Sequence, residues 1–194
     1  LYMKGYAMTK RIILAVSGSI SAYKSADLTS KLKKKGYDIH VIMTEAAQAF
    51  IPPLTLQVLS KNPVHTDVME EKLAERINHI DLAKETDLFI VAPASANTIA
   101  KLAHGMADNM LSATALALPS TTPKLIAPAM NTKMYENPLT KKNLKTLQEV
   151  GYQEIRPKSG LLACGDTGRG ALADIAVIIE AIDSALTRKG VYDE

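Results

Sequence analysis

Cysteine is nearly absent from this chain of 194 residues, which contains only Cys164. A single cysteine excludes an intrachain disulfide and a cysteine-based metal cluster, so no metal site is predicted. No apolar run approaches the roughly 20 residues of a membrane span, and residues 1–10 lack the apolar region of a signal peptide. The net charge of +3 is too mild to indicate nucleic acid as a partner. These absences predict a cytoplasmic protein that binds neither membrane nor nucleic acid.

Length and composition indicate one domain. A chain of 21.0 kDa with 47% hydrophobic and 22% charged residues can bury a sizeable core. No repeat, low-complexity tract or domain linker interrupts it. We predict an N-terminal extension at 1–9, a folded domain at 10–188 and a C-terminal tail at 189–194. Leu1 stands where a start methionine is expected, with Met3 and Met8 close behind, so the first residue of the protein stays open.

Apolar runs alternate with segments of helical periodicity along the whole chain. The predicted strands lie at 11–16, 37–43, 88–92, 124–127 and 152–155, with a short one around Val64. Helices are predicted between them, the last at 175–186, and 161–170 is predicted as a glycine-rich loop. Alternating strands and helices are typical of a parallel sheet. The predicted fold is therefore α/β, a single Rossmann-like (flavodoxin-like) domain with helices on both faces of the sheet.

Small polar residues follow the first predicted strand, in the segment Ser17–Ser21. It is neither a G-x-G-x-x-G fingerprint nor a P-loop. One glycine flanked by three serines can still offer N–H and hydroxyl donors to a single phosphate at a helix N-terminus. The alternative is an ordinary strand–helix loop. Thr44, after the second strand, is predicted to cap the next helix.

A similar loop follows the strand at 88–92 and contains Ser95, Ala96, Asn97 and Thr98. A helix cap explains only one of its polar residues. Two such loops at neighbouring strand ends suit a mononucleotide. Because no long glycine fingerprint is present, this pattern favours FMN over a dinucleotide.

The loop after the strand at 124–127 carries Ala129, Asn131 and Met134 between Pro128 and Pro138. Strand, irregular loop and helix in this order build ligand sites at the carboxyl edge of α/β sheets. The alternative interpretation is an ordinary loop whose methionines fill gaps.

Two further residues are candidates for chemistry. His79 opens a predicted helix two residues before Asp81, where an imidazole can exchange protons near neutral pH. Cys164 lies between Ala163 and Gly165 in the glycine-rich segment, which can act as a flap over a ligand. Most lone cysteines are buried and inert, and this alternative remains open for Cys164.

Five motifs occur in an order that resembles the flavin-dependent cysteine decarboxylases. They are Gly18–Lys24, His79–Ala83, Pro93–Thr98, Pro128–Tyr135 and Ala163–Asp166. The resemblance runs from about residue 10 to residue 186. One departure is Tyr135, where the family often has tryptophan. Both side chains are flat aromatics.

This resemblance implies FMN-dependent decarboxylation of a small-molecule substrate, 4'-phosphopantothenoylcysteine, to 4'-phosphopantetheine in coenzyme A biosynthesis. The substrate thiol is oxidised to a thioaldehyde, CO₂ leaves, and the resulting enethiol is reduced again. His79 is implied as the acid/base residue and Cys164 as the proton donor of the final reduction. Substrate-binding residues are implied to be Asn131, Met134, Ala163 and Gly165. FMN is implied to be held by Gly18, Ser19, Ile20, Thr44, Ser95, Ala96, Asn97, Thr98 and Ala129.

The family also implies a homotrimer or a larger trimer-based oligomer, with flavin between subunits. Because this chain ends before a fused synthetase could begin, a separate synthetase is expected to supply the substrate. Three alternatives remain: a peptidyl-cysteine decarboxylase, a flavin prenyltransferase and a non-catalytic regulatory relative. The Asn131 loop together with the Cys164 flap favours the small-molecule decarboxylase.

Overall fold

A five-stranded parallel sheet forms the centre of the computed structural model, which describes residues 9–70, 78–161, 165 and 167–192. Its strands are β1 (Arg11–Val16), β2 (Asp38–Met43), β3 (Leu88–Ala94), β4 (Lys124–Pro128) and β5 (Tyr152–Glu154). They are arranged in the order β2-β1-β3-β4-β5. This is the flavodoxin-like order, so the predicted fold class is confirmed.

Both faces of the sheet are buried, as the continuous apolar runs predict. Successive side chains of a strand point to opposite faces. In β1, Ile12 and Leu14 accordingly belong to one core cluster, and Ile13 and Ala15 belong to the other. Each fully buried aliphatic side chain of this kind contributes about 1.5–3 kcal/mol. The two clusters together hold the sheet between its two helical layers.

Helices cover the sheet at the predicted places, except that residues 132–136, which were predicted as part of an irregular loop, also form a short helix. The helices are α1 (Lys24–Lys34), α2 (Glu45–Gln48), α3 (Pro53–Ser60), α4 (Asn78–Glu85), α5 (Ala96–Ala103), α6 (Met110–Leu116), α7 (Thr132–Glu136), α8 (Pro138–Glu149) and α9 (Ile175–Tyr192). The Thr44 hydroxyl caps α2 by accepting from the Ala47 N–H at 3.2 Å, as predicted. None of these helices is both long and apolar enough to cross a bilayer.

Three other local predictions are also wrong. The helix predicted at 22–35 begins only at Lys24, because Ala22 and Tyr23 belong to a 3-10 turn (Ile20–Tyr23). The strand predicted around Val64 is only an isolated bridge between Ile42 and His65. The predicted loop at 161–170 is part of an antiparallel hairpin, with strands β6 (Lys158–Leu161) and β7 (Thr167–Ala171). The sequence did not predict this hairpin because its strands are rich in glycine, whereas strand prediction relies on β-branched and aromatic residues.

The strand order reverses between β1 and β3. In open α/β sheets, ligands bind in the crevice outside the carboxyl ends of the strands at such a reversal. The loops that follow β1 and β3 therefore lie where a ligand site is expected.

Candidate active site

A cavity of about 510 Å³ lies at the carboxyl edge of the sheet. The loops that follow β1, β3 and β4 form its walls, together with the end of β7. Its lining residues are Gly18, Ser19, Ile20, Ser21, Tyr23, Lys24, Ser95, Ala96, Ala129, Met130, Asn131, Met134, Gly170 and Ala171. The two small polar loops and the Asn131 loop that the sequence singled out therefore meet in one place.

The loop after β1 passes very close to α2. A Cβ atom added at Gly18 would lie 2.6 Å from the Cβ of Ala46, closer than real Cβ contacts occur. Glycine is therefore required at this position by the approach of α2. Ser19 accepts a hydrogen bond from the Ser21 N–H at 3.2 Å, which caps the following 3-10 turn.

Ser95 begins α5 in the loop after β3. Its hydroxyl accepts from the Thr98 N–H and donates to the Thr98 hydroxyl, both at 3.2 Å. Ser95 and Ala96 line the cavity, whereas Asn97 is exposed and Thr98 is buried beneath the helix start. Of the four FMN-binding residues predicted here, two therefore reach the cavity of the single chain.

Asn131 lies in the third loop at the start of α7. Its side-chain oxygen accepts from the Lys133 N–H at 2.8 Å, which orients the amide at the cavity wall. Tyr135, a residue of α7, connects this helix to β5. It is 3% exposed, and its hydroxyl donates to Glu154 at 2.7 Å. Burial, followed by the bond to Glu154, raises the pKa of Tyr135, so the phenol stays a neutral donor.

The hairpin strand β7 is docked on this same loop. The Met130 N–H donates to the Gly170 carbonyl at 2.9 Å. A Cβ atom at Gly170 would overlap the Met130 carbonyl oxygen, and one at Gly168 would overlap the Thr132 hydroxyl. These two glycines allow the hairpin backbone to lie directly against the loop that carries Asn131.

The remaining predicted site residues lie apart from the cavity or outside the described part of the chain. Thr44 caps α2 and does not line the cavity. Gly165 is exposed, has a φ of +85°, and is not a lining residue. Ala163 and Cys164 lie outside the described residues.

His79 does not line this cavity either. It is the second residue of α4, a helix that packs against α6. Its Nδ1 atom is buried and has no hydrogen-bond partner within the described residues. The single chain thus brings Asn131 to the cavity and leaves His79 elsewhere.

Sequence reasoning missed six of the lining residues: Ser21, Tyr23, Lys24, Met130, Gly170 and Ala171. The first four stand inside motifs already quoted, so their closeness to the predicted site residues was the available signal. Gly170 and Ala171 reach the cavity only because the hairpin folds back onto the Asn131 loop, and no local pattern shows that contact.

The residues around this cavity fit FMN. Its volume lies within the roughly 300–1,000 Å³ of typical ligand sites. Gly18 cannot carry a side chain without displacing α2, and Ser19, Ala96 and Ala129 are small. The cavity also lies between β1 and β3, the switch point at which folds of this strand order bind FMN.

Comparison with known proteins identifies the family. The profile of the family described as Flavoprotein matches residues 4–187. The chain belongs to this family. It is 63% identical over 179 residues to the probable phosphopantothenoylcysteine decarboxylase of Streptococcus mutans, covering 92% of this chain and 100% of that relative. The predicted family is therefore confirmed.

Other relatives are longer. The chain is 48% identical over 171 residues to the coenzyme A biosynthesis bifunctional protein CoaBC of Bacillus subtilis, covering 88% of this chain and 42% of that relative. The match is thus confined to less than half of the bifunctional protein.

Solved structures of similar proteins superimpose closely on this chain. A PPC decarboxylase mutant complexed with pantothenoylaminoethenethiol has a TM-score of 0.83 and 34% identity, covering 90% of this chain and 97% of that one. The FMN-dependent cysteine decarboxylase SpaF has a TM-score of 0.81 and 31% identity, covering 93% and 97%. The fold of the Flavoprotein family therefore extends over nearly all of this chain.

Proposed function

We propose that this protein decarboxylates 4'-phosphopantothenoylcysteine to 4'-phosphopantetheine with FMN as cofactor. The observation that carries this function is that the β1 loop, the β3 loop and the Asn131 loop line the same cavity. The predicted decarboxylase activity and FMN cofactor are confirmed by relatives that span this chain. The roles of individual residues below are proposals.

FMN, when bound, supplies the acceptor for two electrons and later returns them, so the reaction has no net redox change. The protein binds and orients the reactants and moves protons. Gly18, Ser19, Ser95, Ala96 and Ala129 would hold FMN, since they line the cavity with small side chains and capped loop backbones.

Asn131 is proposed to hold the substrate carboxylate. A neutral amide can orient this group without strongly stabilising its charge. A cation in the same place would stabilise the carboxylate that must leave as CO₂, and would therefore oppose the reaction. The bond from the Lys133 N–H to the Asn131 side-chain oxygen keeps the amide oriented before substrate binds.

His79 is proposed as the acid/base residue of the oxidation and decarboxylation steps. Because it does not line the cavity of its own chain, we propose that it serves the cavity of a neighbouring subunit. This requires a homo-oligomer, and the family resemblance implies a trimer or a multiple of it.

Light scattering during size-exclusion chromatography checks this assembly. We expect a mass that is a multiple of three chains, with flavin eluting in the same peak, because each site needs residues from two subunits. A stable monomer that carries flavin and turns over substrate would contradict the composite site.

Lys24 is proposed to bind the substrate phosphate. It is the one charged residue among the described residues that line the main cavity, and it also lines a neighbouring cavity of about 230 Å³. It stands at the first residue of α1, where the helix dipole also favours an anion. An ammonium at this point can bind the phosphate end of a long substrate.

Replacing Lys24 with glutamine is expected to lower kcat/KM for phosphopantothenoylcysteine by about tenfold or more, the loss typical of one charge-assisted hydrogen bond. Activity on pantothenoylcysteine, which has no phosphate, should change little. FMN content measured by absorbance serves as the control. An equal loss on both substrates would contradict a phosphate-binding role.

Cys164 is proposed, from the family resemblance, to donate the proton in the final reduction. Because this thiol is proposed to act only in the reduction, Cys164→Ser is expected to allow the first half-reaction. The variant should then fail to complete the reduction, because a hydroxyl is a far poorer proton donor than a thiol with a pKa near 8.5. Mixed with substrate, the variant should release CO₂ roughly once per site and accumulate a product two hydrogens short of phosphopantetheine, detected by mass spectrometry. Fully reduced product at the native rate would contradict this role.

A turnover assay tests the proposed function itself. Purified protein with FMN is given phosphopantothenoylcysteine and, in parallel, a peptide ending in cysteine. CO₂ and phosphopantetheine are expected from the first substrate only. Turnover of the peptide alone would identify a peptidyl-cysteine decarboxylase, and turnover of neither would favour a non-catalytic relative. The cytoplasmic location stays a prediction from the sequence.

A further inference from the structure

Ser17 connects the ends of the two central strands. It directly follows β1 and is fully buried. It is not a lining residue of the main cavity. The regular pairing of β1 with β3 ends at Ala15 and Val91, before either strand reaches its loop. Ser17 therefore lies where the ladder between the two strands has stopped.

The hydroxyl and the backbone N–H of Ser17 connect the two strands where the regular backbone hydrogen bonds between β1 and β3 have ended. The hydroxyl donates to the Pro93 carbonyl at 2.7 Å and accepts from the Ser95 N–H at 2.8 Å. The Ser17 N–H also donates to the Pro93 carbonyl, at 3.2 Å. One buried side chain thus binds an acceptor at the end of β3 and a donor in the loop that follows it.

The two connected loops are those that would hold FMN. Gly18 and Ser19 follow Ser17 in one loop, while Ser95 and Ala96 belong to the other, and all four line the cavity. The Ser95 N–H is bonded to Ser17 and the Ser95 hydroxyl is bonded to Thr98, so Ser17 fixes the backbone of Ser95 at the cavity wall. Any change in the Ser17 bonds would alter the separation of the two walls.

We propose that Ser17 is a positioning residue that sets the separation of the two FMN-binding loops. This inference rests on the proposed function, because it assumes that FMN spans both loops. A ligand bound by two loops at once depends on their separation in the way that a bivalent ligand depends on the spacing of its two sites. The affinity of a ligand that binds only one loop does not depend on this separation.

The chain offers a matched control in Ser60. This serine is also fully buried, and its hydroxyl donates to the Asn62 carbonyl and accepts from the Asn62 N–H, each at 3.2 Å. It lies at the end of α3 and does not line the main cavity. Ser17→Ala and Ser60→Ala therefore remove the same kind of buried hydroxyl from two different places.

The experiment measures FMN binding to the full-length apoprotein variants by flavin fluorescence, with thermal unfolding of the apoproteins alongside. Both variants are expected to unfold at lower temperature than the native protein. Ser17→Ala should weaken FMN binding by about tenfold or more, the loss expected from one well-placed bond. Ser60→Ala should keep the FMN dissociation constant within about twofold, because its bonds are remote from both loops.

Riboflavin separates positioning from general damage. It has no phosphate and can use only part of the two-loop site, so the ratio of FMN to riboflavin affinity should fall in Ser17→Ala and stay native in Ser60→Ala. Equal losses for both flavins, or an FMN dissociation constant no different from that of Ser60→Ala, would overturn the proposal.

Two precautions keep the test decisive. If Ser17→Ala does not fold, Ser17→Cys gives the same comparison, because a thiol fills a similar space but forms weaker hydrogen bonds. Failure of the native protein to bind FMN would reject the proposed function. Native FMN binding with an unaffected Ser17→Ala variant would reject only the role of Ser17.

Discussion

His79→Asn is expected to lower the rate of CO₂ release by about 10²–10⁴-fold, the usual cost of losing a general acid/base. Asparagine retains a polar side chain of similar reach but cannot exchange a proton near neutral pH. FMN should remain bound, because the substitution leaves unchanged the residues that are proposed to hold it, among them Gly18, Ser19 and Ser95. The measurement is CO₂ release under single-turnover conditions, with flavin absorbance recorded on the same sample. Native CO₂ release would show that His79 has no catalytic role.

The separation of His79 from Asn131 allows a sharper test with two inactive variants. Asn131→Asp is also expected to be inactive, since an aspartate would repel the substrate carboxylate. When His79→Asn and Asn131→Asp chains are co-expressed with different tags, a composite site can receive its intact His79 from one chain and its intact Asn131 from the other. In an equal random mixture about a quarter of the sites regain both residues.

Purified mixed oligomers are therefore expected to recover roughly a quarter of the native activity. Each variant expressed alone provides the control. If His79 and Asn131 instead acted within the same chain, every chain would lack one of them and mixing would restore nothing. Absence of recovery in confirmed mixed oligomers would thus exclude the site shared between subunits.

Gly170→Ala is expected to reduce kcat/KM by about 10²-fold, because a shift of about 1 Å in a substrate-positioning group can cost that much. The new methyl group would overlap the Met130 carbonyl oxygen. Neither backbone can avoid this overlap by a side-chain rotation, so β7 must move away from the loop that carries Asn131. The bond between the Met130 N–H and the Gly170 carbonyl would be strained or lost.

The opposite strand of the hairpin supplies the control. A Cβ atom at Gly160 would meet no atom of the described residues within 4 Å, so Gly160→Ala should leave kcat/KM close to native. Steady-state kinetics and thermal unfolding of both variants make the comparison. Equal activity of Gly170→Ala and Gly160→Ala would show that the contact between β7 and the Asn131 loop does not position the substrate.

Much of this fold could be predicted from residue patterns. The apolar runs at 11–16 and 88–92 predicted buried parallel strands, because only a strand covered on both faces tolerates continuous apolar side chains. Thr44 predicted a helix start because a hydroxyl can bind the unpaired N–H groups of a first turn. These are local rules, and they held at these places.

The hairpin at 158–171 was missed for the opposite reason. Its strands contain Gly160, Gly168 and Gly170 where strand prediction expects bulky side chains. Gly168 and Gly170 are explained by contact with the Asn131 loop, more than thirty residues earlier in the chain. Because the need for glycine comes from backbone that is remote in sequence, no local residue pattern could have predicted these strands.

The sequence alone determined the family, the alternation of strands and helices, and the three loops that contain the candidate site residues. Only the tertiary structure decided which of those residues share a cavity. It brought Gly18, Ser95 and Asn131 to one wall, added Lys24, and left Thr98 buried and His79 apart. The reason is physical: residue type and spacing specify local backbone and burial, whereas side chains remote in sequence meet only through strand order, and β1 lies beside β3 because of how the whole sheet pairs.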